Sequence, residues 1–119
     1  MPEKILLVGC GKMGGALLEG WLEHQFEITD IIVVEPNFKI TQNFVARGLK
    51  IVKDIDSLPE NFQPDVIVFA VKPQVMDEVV SPYGKLNVQS TIFVSIAAGK
   101  TIAYFEKALG ARVAIVRAM

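Results

Sequence analysis

Three glycines, Gly9, Gly11 and Gly14, form a G-x-G-x-x-G pattern between an apolar run and a stretch of helical spacing. This arrangement is typical of the turn that binds the pyrophosphate of a dinucleotide. The first glycine permits a tight turn, the second lets the backbone approach the pyrophosphate, and the third lets the helix pack on the strand. The start of the helix then offers free N–H groups to the phosphates. We predict cofactor binding at Gly9, Gly11, Lys12, Met13 and Gly14, although methyltransferases and ligand-free tight turns also contain such glycines.

The acidic residue Glu35 lies 21 residues after Gly14, where a second apolar run ends. In a dinucleotide-binding fold, an acid about 20 residues beyond the glycines accepts a hydrogen bond from the ribose 2′-hydroxyl. The same carboxylate repels the 2′-phosphate of NADP, so Glu35 favours NADH as the cofactor. The alternative interpretation is a solvated acid at the end of a strand.

Apolar runs alternate with stretches of helical spacing along the chain, which is the order expected for a parallel sheet with right-handed crossovers. The pattern predicts strands over residues 5–8, 31–34, 49–52, 66–71, 91–96 and 113–116. It predicts a first helix that begins at Met13 and includes His24, and further helices over residues 41–47, 74–80 and 102–109. Since we find no internal repeat or linker, we predict a single α/β domain. Its expected architecture is a Rossmann-type, doubly wound parallel sheet in three layers.

The composition narrows the classes of function. Of the 119 residues, 51% are hydrophobic, and the formal net charge is −1. No cluster of Lys or Arg favours nucleic acid or an anionic membrane as a partner. The single Cys10 excludes an internal disulfide, and no cysteine cluster suggests a metal site. Residues 7–10 (LVGC) imitate a lipoprotein cleavage site, but the apolar stretch before Cys10 is too short for a signal peptide. With no apolar run near the ~18 residues of a membrane helix, we expect a cytoplasmic protein.

Four motifs in register resemble the N-terminal domain of pyrroline-5-carboxylate reductase. They are the glycine turn followed by Ala16 and Gly20, and the segments 70–74 (AVKPQ), 95–99 (SIAAG) and 113–119 (VAIVRAM). The resemblance implies an oxidoreductase in which NAD(P)H reduces the C=N bond of 1-pyrroline-5-carboxylate to give proline. It also implies that residues 1–119 are the dinucleotide-binding domain. On this resemblance, we expect the family's helical domain, which dimerises and builds much of the substrate site, to be absent from residues 1–119.

The two loop motifs add candidate cofactor-binding residues. After the fourth strand these are Ala70, Val71, Lys72 and Pro73, and after the fifth strand they are Ala97, Ala98 and Gly99. Pro73 forces Lys72 into an extended conformation at the carboxyl end of a strand, where open α/β sheets bind ligands. The small residues suit a flat nicotinamide ring but also suit a plain tight turn. No catalytic residue stands out, since His24 has no obvious acidic or nucleophilic partner; Trp21 and Cys10 are expected in the core.

Two departures from the family pattern concern the cofactor. The family often uses NADPH, whereas Glu35 favours NADH, and the family's Asn after the third strand is replaced here by residues 54–56 (DID). The alternatives to an imine reductase are a hydroxyacid or prephenate dehydrogenase domain and a stand-alone nucleotide-binding module without turnover. The expected partner is the small-molecule substrate, and the full-length form is expected to be a homodimer or a higher homo-oligomer.

Overall fold

The structure is a computed structural model that describes residues 4–24, 26–59, 62–85, 91–96, 100–110 and 114–118. The strands are β1 (Ile5–Val8), β2 (Ile31–Val34), β3 (Lys50–Val52), β4 (Val66–Phe69), β5 (Ile92–Ser95) and β6 (Ala114–Arg117). The α-helices are α1 (Lys12–His24), α2 (Gln42–Ala46), α3 (Met76–Val80) and α4 (Ile102–Leu109). Short 3-10 turns cover Ile28–Asp30, Phe38–Thr41, Ile55–Ser57, Pro73–Val75 and Ser81–Lys85. The alternating order of strands and helices is the predicted one.

The six strands form one parallel sheet in the order β3-β2-β1-β4-β5-β6. Ile5 of β1 lies opposite Ile31 of β2 on one side and Val66 of β4 on the other. The chain therefore winds outward in both directions from β1 and β4, and the direction reverses between these two strands. This order confirms the predicted Rossmann-type, doubly wound sheet, and it creates a switch point at which such sheets bind ligands.

Both faces of the sheet carry a hydrophobic core. On one face, Phe69 of β4 stacks on Phe93 of β5 and Phe105 of α4, with ring centroids 5.8 and 6.0 Å apart. On the other face, Leu18 of α1 and Phe44 of α2 pack over the central strands. The predicted three-layer arrangement is thus confirmed. The strands read as continuous apolar runs because their side chains are buried on both sides near the centre.

Several predicted element boundaries are wrong by one or two residues. The strand predicted over 66–71 ends at Phe69, because the Ala70 N–H makes a last bond to the Val8 carbonyl before the chain turns away. The strands predicted over 49–52 and 91–96 are shorter, and the strand predicted over 113–116 is seen as Ala114–Arg117, Val113 lying outside the described residues. The helix predicted over 41–47 is confined to Gln42–Ala46. Trp21, expected in the core, is only partly buried and packs edge-on against Phe26.

None of the helices in the described ranges is long and apolar enough to cross a membrane.

Candidate functional site

An open cleft of about 880 Å³ lies at the carboxyl edge of the sheet, directly above the switch point. This volume is within the roughly 300–1,000 Å³ of typical ligand pockets. The glycine turn forms one wall, the ends of β2 and β3 form a second, and the segment from Ala70 through α3 to Tyr83 forms the third. The cleft lining includes three lysines and three carboxylates, namely Lys12, Lys53, Lys72, Glu35, Asp54 and Glu78.

The three glycines of the turn have three different surroundings. Gly9 has φ of 96°, a left-handed conformation that favours glycine. A Cβ atom on Gly14 would lie 2.3 Å from the Gly9 carbonyl oxygen, so this position must stay small for α1 to pack on the turn. A Cβ on Gly11 would meet nothing within 4 Å, and Gly11 lines the cleft. The structure therefore gives a folding reason for the first and third glycines and leaves open space at the second.

The first turn of α1 faces the cleft at Gly11 and Lys12. The first intrahelical bond at this end runs from the Gly15 N–H to the Gly11 carbonyl, 2.8 Å long. Backbone N–H groups before Gly15 have no acceptor inside the helix, and the helix dipole adds partial positive charge there. An open cradle of N–H donors beside a residue without a side chain fits the phosphates of a dinucleotide.

Glu35 directly follows β2, and its carboxylate contacts two backbone segments. One oxygen, Oε1, accepts from the Cys10 N–H at 2.7 Å, and the other, Oε2, accepts from the Asn37 N–H at 3.0 Å. The carboxylate is therefore fixed between the glycine turn and the segment after β2. It lines the cleft and is not the free solvated acid of the alternative interpretation.

Two buried groups at the site have raised pKa values. Burial, together with the charge of Glu35, raises the pKa of the Cys10 thiol to about 11, and the residue is 3% exposed, as expected for a side chain inside the sheet. Burial and then the charge of Asp54 raise the pKa of Tyr83, whose ring packs edge-on against Phe69 at 5.5 Å. Cys10 is therefore a protonated, inert thiol at neutral pH. The Tyr83 phenol keeps its proton and can donate a hydrogen bond at the cleft wall.

The cleft brings together most of the residues predicted from sequence. Its lining includes Gly9, Gly11, Lys12, Glu35, Ala70, Val71 and Lys72. Lys72 has the extended backbone predicted for a residue before proline, with φ of −63° and ψ of 146°. Pro73 begins the next 3-10 turn and does not line the cleft.

Two residues of the glycine motif lie elsewhere. The Met13 side chain is 53% exposed and lines a separate apolar groove with Trp21 and His24. Gly14 packs under the turn instead of facing the cleft. The predicted nicotinamide loop, Ala97, Ala98 and Gly99, lies outside the described residues.

Other lining residues were not among the cofactor-binding residues predicted from sequence, although the family resemblance had pointed to the turn at residues 54–56. They are Val8, Val34, Pro36, Asn37, Ile40, Lys53, Asp54, Ile55, Val75, Glu78, Val79, Pro82 and Tyr83. The strand order could have indicated those near the ends of β2 and β3, because carboxyl ends of parallel strands meet at one edge. No sequence signal places Val79 or Tyr83 there, since they reach the cleft only through the packing of α3 and its following turn. Among the described residues, no group of three or more His, Cys, Asp or Glu side chains could hold a metal ion.

Comparisons with known proteins agree with this geometry. Residues 4–99 match the family model described as NADP oxidoreductase coenzyme F420-dependent. The pyrroline-5-carboxylate reductase of Escherichia coli K12 is 33% identical over 121 residues, covering 100% of this chain and 44% of the relative. The chain thus spans less than half the length of the curated relatives that it matches.

Solved structures show the same likeness. A pyrroline-5-carboxylate reductase from Coxiella burnetii superimposes with a TM-score of 0.90 and 27% identity, over 100% of this chain and 44% of that one. The Plasmodium falciparum pyrroline carboxylate reductase with NADP bound gives a TM-score of 0.75 and 27% identity, over 97% and 41% of the two chains. These similarities confirm the resemblance that the four sequence motifs indicated.

Proposed function

The chain belongs to the family described as NADP oxidoreductase coenzyme F420-dependent, and we propose its function on that basis. Within it, this chain acts as the cofactor-binding domain of a pyrroline-5-carboxylate reductase, an oxidoreductase that reduces the C=N bond of 1-pyrroline-5-carboxylate to give proline. The observation that carries the proposal is the glycine turn at the switch point, open at Gly11 and facing a cleft that continues to Glu35. The curated relatives carry the reductase name and do not favour the hydroxyacid or prephenate dehydrogenase alternative.

Different residues of the cleft bind different parts of the cofactor. The N–H groups at the start of α1 bind the pyrophosphate, and Gly11 leaves the room it needs. Each Glu35 oxygen uses one lone pair on the backbone and keeps another for a ribose hydroxyl. Lys72, held extended by Pro73, lines the cleft beyond the end of β4 and would contact the dinucleotide there. When bound, the reduced nicotinamide supplies the hydride for reduction of the imine.

The cofactor preference follows from the same carboxylate. NADH presents two ribose hydroxyls that Glu35 can accept from, whereas NADPH brings a 2′-phosphate of up to two negative charges beside it. We propose that this chain prefers NADH, against the NADP bound in the Plasmodium falciparum structure. Because exposed charges are screened by salt, the preference should shrink as ionic strength rises. Tighter binding of NADPH than of NADH at moderate ionic strength would contradict this part of the proposal.

The experiment that tests the proposal is a calorimetric titration of the chain with NADH and NADPH. Gly11→Val should keep its fold, since a Cβ atom there meets no protein atom within 4 Å, and should lose binding of both cofactors by occupying the pyrophosphate space. Gly20→Ala is the control, because a Cβ atom at Gly20 also meets nothing within 4 Å and Gly20 lies further along α1. Unchanged affinity in a folded Gly11→Val variant would show that the dinucleotide does not bind on this turn.

The remaining parts of the proposal concern the whole enzyme. The reductase acts on a small molecule, works in the cytoplasm and forms a homodimer or a higher homo-oligomer. Size-exclusion chromatography with light scattering on a full-length relative and on residues 1–119 would test whether assembly needs sequence beyond this chain.

A further inference from the structure

The carboxylate of Glu35 connects two loops that must both be ordered to bind a dinucleotide. Its Oε1 atom accepts from the Cys10 N–H inside the glycine turn, and its Oε2 atom accepts from the Asn37 N–H beyond β2. The Glu35 backbone is itself held by a 2.8 Å bond from its N–H to the Val52 carbonyl of β3. The side chain therefore ties the turn after β1 to a fixed point of the sheet.

We propose that Glu35 is a positioning residue that braces the glycine turn in its phosphate-binding conformation, so that cofactor discrimination and phosphate binding depend on one side chain. The inference rests on the proposed function, in that the ligand of the turn is a nicotinamide dinucleotide. Its new content is that removing Glu35 weakens NADH binding and gives no gain in NADPH binding, although the charge that repels the 2′-phosphate is lost.

The turn has a physical need for such a brace. Glycines 9, 11 and 14 lose more conformational freedom on ordering than other residues would. Gly9 is anchored by the bond from its N–H to the Val34 carbonyl, and Gly15 by the first helical bond, but the segment between them must hold its N–H groups toward the cleft. A charge-assisted hydrogen bond at Cys10 fixes the middle of this segment.

The bond also decides which donors remain for phosphate. Because the Cys10 N–H is already used by Glu35, the pyrophosphate must be bound by the N–H groups that follow, at Gly11 and the start of α1. If Glu35 acted only by repelling a 2′-phosphate, its removal would tighten NADPH binding. If Glu35 also braces the turn, the Glu35→Ser variant binds the pyrophosphate more weakly. The preference for NADH over NADPH then decreases, but the affinity for NADPH does not rise above that of the wild type.

The first measurement uses the cofactor-free protein. Amide hydrogen exchange followed by NMR should be about tenfold or more faster at Cys10 in Glu35→Ser than in the wild type, since a charge-assisted bond is lost. Glu35→Gln should fall between the two, because its amide oxygen can keep one of the two bonds while its NH₂ group cannot accept the other. Exchange at Phe69, fully buried in β4, checks that the sheet remains folded.

The matched control is Glu19→Gln. Glu19 is an exposed carboxylate on α1 that accepts a hydrogen bond from the Arg47 side chain, so its removal changes the charge without touching the turn. We expect wild-type exchange at Cys10 in this variant.

The second measurement is the titration of each variant with NADH and NADPH. Weaker binding of NADH in Glu35→Ser, no gain for NADPH, and recovery of NADPH affinity in Glu35→Gln support the brace. Wild-type exchange at Cys10 in Glu35→Ser, or tighter NADPH binding in Glu35→Ser than in the wild type, overturns it. If the wild type binds neither cofactor, the proposed function is refuted instead. The two failures can be told apart, because the exchange measurement tests the brace without any cofactor.

Discussion

Gly14 and Gly15 are adjacent in α1, yet alanine should have opposite effects on stability at the two positions. Both substitutions gain roughly 1 kcal/mol from the higher helix propensity of alanine. At Gly15 the new Cβ meets nothing within 4 Å, so the gain is kept. At Gly14 the new Cβ would lie 2.3 Å from the Gly9 oxygen and 3.1 Å from the Gly9 carbon. These are backbone atoms, so the helix or the turn must shift.

Overpacking of this kind typically costs 1–3 kcal/mol, so the unfolding free energies of the two variants should differ by about that amount. The Gly15→Ala variant should be more stable than the wild type. Urea unfolding monitored by circular dichroism measures the difference, and unchanged m-values would show that the variants unfold as the wild type does. Because the turn carries the proposed phosphate site, Gly14→Ala should also weaken NADH binding. Equal stabilisation by both substitutions would refute the packing argument, since it would show that α1 can move away from the turn without cost.

Three further outcomes are expected. With pyrroline-5-carboxylate and NADH or NADPH, residues 1–119 should oxidise cofactor far more slowly than the roughly 1–10³ per second of whole enzymes, and turnover in that range would contradict the proposal that this chain is only the cofactor domain. Cys10, with its pKa raised to about 11, should react with iodoacetamide at pH 8 about a hundredfold more slowly in the folded than in the urea-unfolded chain; equal rates would contradict its burial. Phe69→Ala should lower the unfolding free energy by about 3–5 kcal/mol, whereas Phe38→Ala, at a 50% exposed position, should change it by less than about 0.5 kcal/mol.

The fold could be predicted because its signals are local. Strands buried on both faces read as apolar runs, helices read as periodic stretches, and the handedness of the crossovers then leaves few arrangements. Gly9, Gly11 and Glu35 could be placed at one edge for the same reason, since Gly9 and Glu35 directly follow β1 and β2 and Gly11 lies in the same turn as Gly9. The exact ends of the strands could not be predicted, because the last backbone bond of a ladder depends on the neighbour, as at Ala70 and Val8.

The finer features of the site depend on tertiary structure. Met13 and Lys12 are adjacent in sequence, but successive residues of a helix point about 100° apart, so Lys12 lines the cleft and Met13 lines another groove. Tyr83 enters the cleft because α3 packs on the sheet, which no spacing encodes. The spacing of Glu35 places a carboxylate near the glycines but does not reveal that the Cys10 N–H is one of its donors.

The winding of the sheet also explains where apolar surface remains exposed. The connections β1 to β2 and β2 to β3 put α1 and α2 on one face, and the connections from β4 onward put α3 and α4 on the other. In the described part of the chain, no helix therefore lies over β5 and β6 on the α1 side. Ile92 and Val116, on that side, are 44% and 50% exposed, although their strands read as apolar as the buried β1. Burial cannot be inferred from an apolar run alone. An apolar run shows that both faces of a strand are suited to burial, but the topology decides whether a helix in this stretch of chain packs on each face.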